Sequence, residues 1–218
     1  MAGTVPGVNI LLLSRCTGAL APFLADSTGG AAPLRLGYID DAQAAFAEAP
    51  FVRAERDSVA KLGHEIVGIT VRDLDPTEFE RVLEGLDAVY VASGSTFALL
   101  EGLRVSGCDE PLVRFVRAGL PYVGSSAGSI IAGPDVTPAS LMDDPADGPT
   151  LTDLAGLGLV EQTVVPHADG QLPPYPPELI RRTLDAYGPD YPLLPLADDQ
   201  ALVATGTGAK VIESPCTG

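Results

Sequence analysis

Leu120-Pro121-Tyr122-Val123-Gly124-Ser125-Ser126-Ala127-Gly128-Ser129-Ile130-Ile131-Ala132 is the stretch that decides the fold. It opens as a short apolar run, passes through a serine with a glycine two residues to either side, and ends in small residues of helical character. Strand, sharp turn, then helix is the order that an exposed nucleophile on an α/β sheet requires. The glycines remove the Cβ clashes that forbid a tight reversal, and Ser126 is left pointing off the strand end. The N–H of Ala127, at the start of the helix, then faces a developing oxyanion.

A serine hydroxyl needs a base within hydrogen-bond reach. The chain has two histidines. His64, in Lys61-Leu62-Gly63-His64-Glu65, falls between a helix-like run and a strand and reads as a turn residue. His167 ends the apolar run Val164-Val165-Pro166 and is followed by Ala168-Asp169-Gly170 and a proline-rich loop. Strand ends facing a crevice are where open α/β sheets put their chemistry.

Outward from these positions, strand-like runs at residues 8–13, 34–39, 65–71, 88–92, 121–123 and 163–165 alternate with helical patterns. Helices are expected at 51–62, at 77–83 behind Asp75-Pro76, through Leu103 behind a Ser95 or Thr96 cap, at 112–118, and at 177–187. The alternation predicts one α/β domain over residues 1–218, a three-layer αβα sandwich around a mostly parallel sheet. Residues 200–204 and 210–212, separated by Thr205-Gly206-Thr207-Gly208, predict a hairpin at the sheet edge. Such an edge permits pairing with a second copy as a homodimer. The stiff stretch Leu172-Pro173-Pro174-Tyr175-Pro176-Pro177 beside His167 is placed to wall a substrate crevice.

With 46% hydrophobic and 19% charged residues among 218, the composition is globular. A net charge of −16 argues against nucleic acid or an anionic membrane surface as partner. The start lacks a basic, apolar leader and no apolar run approaches membrane-spanning length, so a cytoplasmic protein is expected. Cys16, Cys108 and Cys216 are odd in number and widely spaced, which suggests neither a disulfide framework nor a metal site. No cofactor is implied.

Tyr122-Val123-Gly124-Ser125-Ser126-Ala127-Gly128-Ser129, Val165-Pro166-His167 and Val91-Ala92-Ser93-Gly94-Ser95-Thr96-Phe97 together resemble the peptidase E (dipeptidase E) family of serine peptidases, related to cyanophycinase. The resemblance covers about residues 50–204 with the motifs in family order. It implies a class I glutamine-amidotransferase-like, flavodoxin-like sheet and hydrolysis of small peptides. Ser126 would be the nucleophile, His167 the base, and the amides of Gly94 and Ala127 the oxyanion hole. The family's acidic residue between serine and histidine favours Asp143, with Asp144 next, and a second acidic position makes Asp198 a further candidate for orienting the imidazole. Ser93 and Ser95 stand where the family often has glycine and asparagine. Aspartyl dipeptidases of the family read the substrate's aspartate with an arginine after the histidine. Here that stretch is Pro173-Pro174-Tyr175-Pro176-Pro177, and the first arginines are Arg181 and Arg182. N-terminal Asp-X cleavage is therefore not implied strictly.

Two other readings stay open from sequence. An esterase of the α/β-hydrolase type shares the motif and the Ser, Asp, His order, but its histidine normally lies farther from the serine. A non-catalytic ligand-binding module on the same fold would leave Ser126 inert.

Overall fold

β1 (Asn9–Leu13) is apolar on both sides, as a strand in the middle of a covered sheet must be. Ile10 and Leu12 join one buried cluster, Leu11 and Leu13 the other. The computed structural model describes residues 7–216. After β1 it runs through α1 (Leu20–Ser27), β2 (Arg35–Ile39), α2 (Pro50–Ala60), β3 (Glu65–Ile69), α3 (Pro76–Glu84), β4 (Ala88–Val91), α4 (Thr96–Ser106), α5 (Asp109–Arg117), β5 (Tyr122–Ser125) and α6 (Ala127–Ile130). It ends with β6 (Thr163–Val165), α7 (Pro177–Tyr187), β7 (Leu193–Pro195), β8 (Gln200–Thr205) and β9 (Gly208–Glu213).

Seven strands form the main sheet in the order β3-β2-β4-β5-β1-β8-β9. The first five are parallel, and the hairpin β8–β9 closes one edge antiparallel to β1. On one face, Phe79 and Leu83 of α3, Phe97, Leu100 and Leu103 of α4, and Leu112 and Val116 of α5 pack against Val89, Val91 and Tyr122. On the other, Leu20, Phe23 and Leu24 of α1 and Val59 of α2 cover Tyr38, Tyr90 and Val123. The result is the αβα sandwich that the alternation predicts, with the edge hairpin. Because β1, β4 and β5 are parallel neighbours or next-neighbours, their carboxyl ends lie along one edge of the sheet, where Ser14, Gly94 and Ser126 follow them.

Three features correct the sequence reading. Residues 163–165 do not enter the main sheet; β6 pairs in parallel with β7 alone, Thr163 opposite Leu193 and Val165 opposite Pro195. β7 is hard to see because Pro192 and Pro195 interrupt it and strand runs seldom tolerate proline. Helix α1 is also unforeseen, although Leu20, Phe23 and Leu24 have the right spacing, because the pattern lasts only eight residues and contains Pro22. Finally, Cys16 and Cys216 are joined as a disulfide across a separation of 200 residues, while Cys108 is free and buried. Spacing cannot reveal that pair, since the C-terminal segment returns to β1 through tertiary contacts: Gly18 N–H donates to Pro215 O at 3.0 Å, and Ser214 Oγ donates to Cys16 O at 2.6 Å. Among the described residues no helix is long and apolar enough to cross a membrane, and no group of acidic, histidine and cysteine side chains is arranged to hold a metal.

Candidate active site

The turn from β5 into α6 has the strain that its sequence foretells. Ser126 adopts φ +46° and ψ −103°, a region side chains rarely enter, and is held there by its N–H bond to Leu13 O at 3.0 Å. A Cβ at Gly124 would overlap the carbonyl of Gly128, and one at Gly128 would overlap the carbonyl of Val91, so both glycines answer to close backbone approach. Tyr122 Oη donates to Gly128 O at 2.6 Å and Ser129 Oγ to Leu13 O at 2.7 Å, clamping the short helix to the sheet. Ser126 itself stays partly open to solvent.

Ser126 Oγ lies 3.2 Å from Nε2 of His167. That histidine is 4% exposed and sits two residues beyond β6 with φ +59°. Its N–H is fixed by Ser14 Oγ at 2.8 Å, and Ser14 in turn donates to Leu196 O at 3.1 Å, so the end of β1 ties together the loops after β6 and β7. His167 Nδ1 lies 2.7 Å from Asp198 Oδ1. Asp198 Oδ2 meets the half-exposed Arg15 at 2.9 Å. Burial pushes the imidazole below its ordinary value of 6.5 against the raising effect of the Asp198 hydrogen bond and charge, so His167 is neutral at pH 7 and free to accept a proton.

This arrangement corrects the assignment of Asp143 as the imidazole's partner. Its Oδ2 accepts from the N–H and Oγ1 of Thr96, at 3.0 and 2.5 Å, and its Oδ1 from the Tyr175 hydroxyl at 3.4 Å. Of the acidic candidates it is Asp198, the family's second acidic position, that reaches the imidazole; it follows the histidine by 31 residues and arrives because β6 and β7 run side by side. Asp144 is a surface turn cap, accepting from Ala146 N–H at 2.9 Å. His64 accepts a long bond from Leu34 N–H at 3.4 Å at the opposite ends of the strands.

Gly94 lies in the loop after β4 with φ +137°, where a Cβ would overlap the Ala42 carbonyl. Ser95 caps α4 through Ala98 N–H at 3.3 Å. The N–H groups of Gly94 and Ala127 donate to no acceptor among the described residues. Sequence reading passed over the support beneath this loop. Glu55 accepts from Ser93 N–H at 3.1 Å, Ser93 Oγ at 2.6 Å, Tyr90 Oη at 2.9 Å and Gln43 Nε2 at 2.8 Å. Ser93, the departure from glycine, was the available signal, because a side-chain donor in such a loop needs an acceptor nearby.

Tyr175, from the proline-rich stretch, stacks on His167 with ring centroids 4.7 Å apart and planes 4° from parallel. Of that stretch, Tyr175 is the residue that reaches the site. Arg181 points to Asp185 at 3.0 Å on the exposed side of α7. The arrangement thus offers a hydroxyl, a neutral imidazole with a carboxylate behind it, and two unengaged N–H groups, which suits acyl transfer.

The chain matches peptidase family S51 over residues 10–212. An uncharacterised peptidase of Pasteurella multocida is 31% identical over 168 residues, which cover 76% of this chain and 72% of that protein. Peptidase E of Streptomyces coelicolor is 34% identical over 165 residues, covering 73% of this chain and 64% of that protein. Among solved structures, a candidate peptidase E from Listeria monocytogenes EGD-e has the same fold, with a TM-score of 0.83 at 23% identity over 94% of this chain and 98% of that one.

Proposed function

The chain belongs to peptidase family S51 and is a serine peptidase, and from that premise we propose that it hydrolyses small peptides through Ser126, His167 and Asp198. Ser126 Oγ attacks the scissile carbonyl carbon while His167 Nε2 takes its proton. Asp198 holds the imidazole in the tautomer with the proton on Nδ1 and stabilises the imidazolium that forms. The N–H groups of Gly94 and Ala127 receive the negative oxygen of the tetrahedral intermediate, a contact stronger in the transition state than in the substrate. His167 then passes the proton to the leaving amine, and water, activated by the same imidazole, releases the acyl group from Ser126.

The observation that supports this reading is the unbroken line from Ser126 Oγ to His167 at 3.2 Å and on to Asp198 at 2.7 Å. The α/β-hydrolase alternative has no comparable support, since the proposed base follows a separate two-stranded sheet and lies only 41 residues after the serine. On the substrate, a Drosophila melanogaster relative named a probable alpha-aspartyl dipeptidase, 35% identical over 78 residues, points to dipeptides. With Arg181 turned to Asp185 and Arg15 engaged by Asp198, we read the first substrate residue as not restricted to aspartate.

The test is hydrolysis of Asp-Leu, Ala-Leu and Phe-Leu by the wild type and by Ser126→Ala. Cleavage of more than one dipeptide, falling by at least about 10⁴-fold in the variant, is the expected result. Activity that survives Ser126→Ala contradicts the mechanism, and cleavage of Asp-Leu alone contradicts the substrate reading.

A further inference from the structure

Four prolines surround one aromatic residue in Pro173-Pro174-Tyr175-Pro176-Pro177, between the loop that carries His167 and helix α7. Each proline fixes its own φ and restricts the residue before it, so the backbone on both sides of Tyr175 has few conformations to choose from. Tyr175 N–H donates to Leu172 O at 2.8 Å and closes a turn, and the N–H groups of Leu179 and Ile180 donate to Pro176 O at 2.9 and 3.2 Å, joining the arm to α7. At the other end Gly170 takes φ +66°, and a Cβ there would overlap the Pro177 ring, so the arm is packed back onto the loop just after His167. Pro173, Pro174, Pro176 and Pro177 are exposed, whereas Tyr175 between them is only partly so and lays its ring on the buried histidine.

The two rings are 4.7 Å apart at their centroids and 4° from parallel, so a π face covers one side of the imidazole. Other groups occupy its edge, Asp198 Oδ1 at Nδ1 and Ser126 Oγ at Nε2. Arg15 stands behind Asp198 on the second carboxylate oxygen, and the Asp143 carboxylate stands beyond the tyrosine hydroxyl. Burial, the largest influence, and Arg15 oppose protonation of the ring, while Asp198 and Asp143 favour it. As the proposed base, the ring gains a proton in the first step, at a place only 4% exposed to water. A neutral imidazole draws ordinary stacking from a phenol ring, but an imidazolium is attracted as well by the negative face of the aromatic quadrupole. The contact is therefore stronger in the transition state than before it, which is the condition for a contact to speed a reaction. The tyrosine hydroxyl also donates to Asp143 Oδ1 at 3.4 Å, and Asp143 Oδ2 accepts from the N–H of Thr96, two residues past Gly94, which links the ring to the loop of the proposed oxyanion hole.

We propose that Tyr175 is a positioning residue for the proposed base: its ring holds the imidazole plane in line with Ser126 and Asp198 and stabilises the imidazolium that forms when Ser126 attacks. This rests on the function proposed above and deepens it. The surrounding prolines make the ring a fixed support, because little backbone freedom has to be lost to keep it there. The hydroxyl adds a weaker tether through one long bond, so the ring face carries most of the effect.

Tyr175→Phe keeps the ring and removes the hydroxyl, whereas Tyr175→Leu keeps an apolar cover and removes the π face. With Ala-Leu as substrate, Tyr175→Leu is expected to lower kcat by about three- to tenfold at nearly constant KM, the scale of a partly desolvated cation–π contact. Its acid limb moves to lower pH, because a ring that loses the contact is harder to protonate. Tyr175→Phe stays within about twofold of the wild type, with its limb in place. NMR titration of the imidazole reads the same contact without turnover, in a His64→Gln background that leaves His167 as the one histidine. The pKa of His167 is expected to fall by about 0.5 to 1 in Tyr175→Leu and to stay where it was in Tyr175→Phe. Tyr175→Met, another apolar side chain without a ring, carries the same expectations and stands in where Tyr175→Leu does not fold. An unchanged His167 pKa in the ringless variants overturns the proposal. So does a Phe variant as slow as the Leu variant, which assigns the effect to the hydroxyl, and so does a change confined to KM, which makes Tyr175 a substrate contact. Hydrolysis by the wild type, with the His167 pKa indifferent to Tyr175→Leu, sinks this inference alone; no hydrolysis of any peptide sinks the proposed function.

Discussion

The two halves of the proposed catalytic site are built in opposite ways. The nucleophile's half is local: Gly124, Ser126 and Gly128 lie within five residues, and the strained φ of +46° follows from the tight β5 to α6 reversal that those glycines permit. The base's half is assembled from a distance. His167 and Asp198 stand 31 residues apart after two parallel strands, and Ser14, 153 residues from the histidine, fixes its backbone. The proposed nucleophile is thus specified by a short motif, whereas the pairing of its proposed base is specified by tertiary structure.

Substitutions on the distant half sharpen that contrast most. Asp198→Asn is expected to cut kcat by about 10³ to 10⁴-fold with little change in KM, because an amide favours the wrong tautomer of the imidazole. The pH dependence adds a sign. As the proposed base, His167 works only when neutral, so activity is expected to be lost as pH falls through its pKa, and burial sets that acid limb below 6.5. Asp198 opposes burial by raising the pKa, so its removal moves the limb to still lower pH. An unmoved limb in the variant breaks the account of Asp198.

On the donor side, Gly94→Ala is expected to cost about 10² to 10³-fold in kcat, the scale for losing one oxyanion donor, and to lower Tm as the loop yields to Ala42. Smaller still is the effect of Glu55→Gln, which keeps an acceptor oxygen but withdraws the charge that gathers Ser93, Tyr90 and Gln43. About a tenfold fall in kcat at constant KM is expected, read from steady-state kinetics, as the Gly94 N–H loses its setting. A KM effect with kcat untouched makes Glu55 a substrate contact instead.

The same division governs what the sequence discloses. β1, β2, β4 and β5 are legible because strands covered on both faces are short continuous apolar runs, and α3 and α4 because Asp75 and Ser95 mark their starts. Ser126 and Gly94 stand out through glycines whose Cβ atoms the backbone would not admit. β7 hides between prolines, and with it goes the register that delivers Asp198. The Cys16–Cys216 pair and the stacking of Tyr175 on His167 depend on segments meeting after the chain has folded, and no local pattern announces them.

Labelling by a fluorophosphonate tests the central claim most directly, with the adduct mapped by mass spectrometry and its rate followed in the wild type, His167→Ala, Asp198→Asn and Asp144→Asn. The account predicts an adduct on Ser126, its formation abolished without His167, slowed by at least about a hundredfold in Asp198→Asn and unchanged in Asp144→Asn. An adduct on another residue, or labelling of Ser126 that proceeds at the wild-type rate in Asp198→Asn, contradicts it.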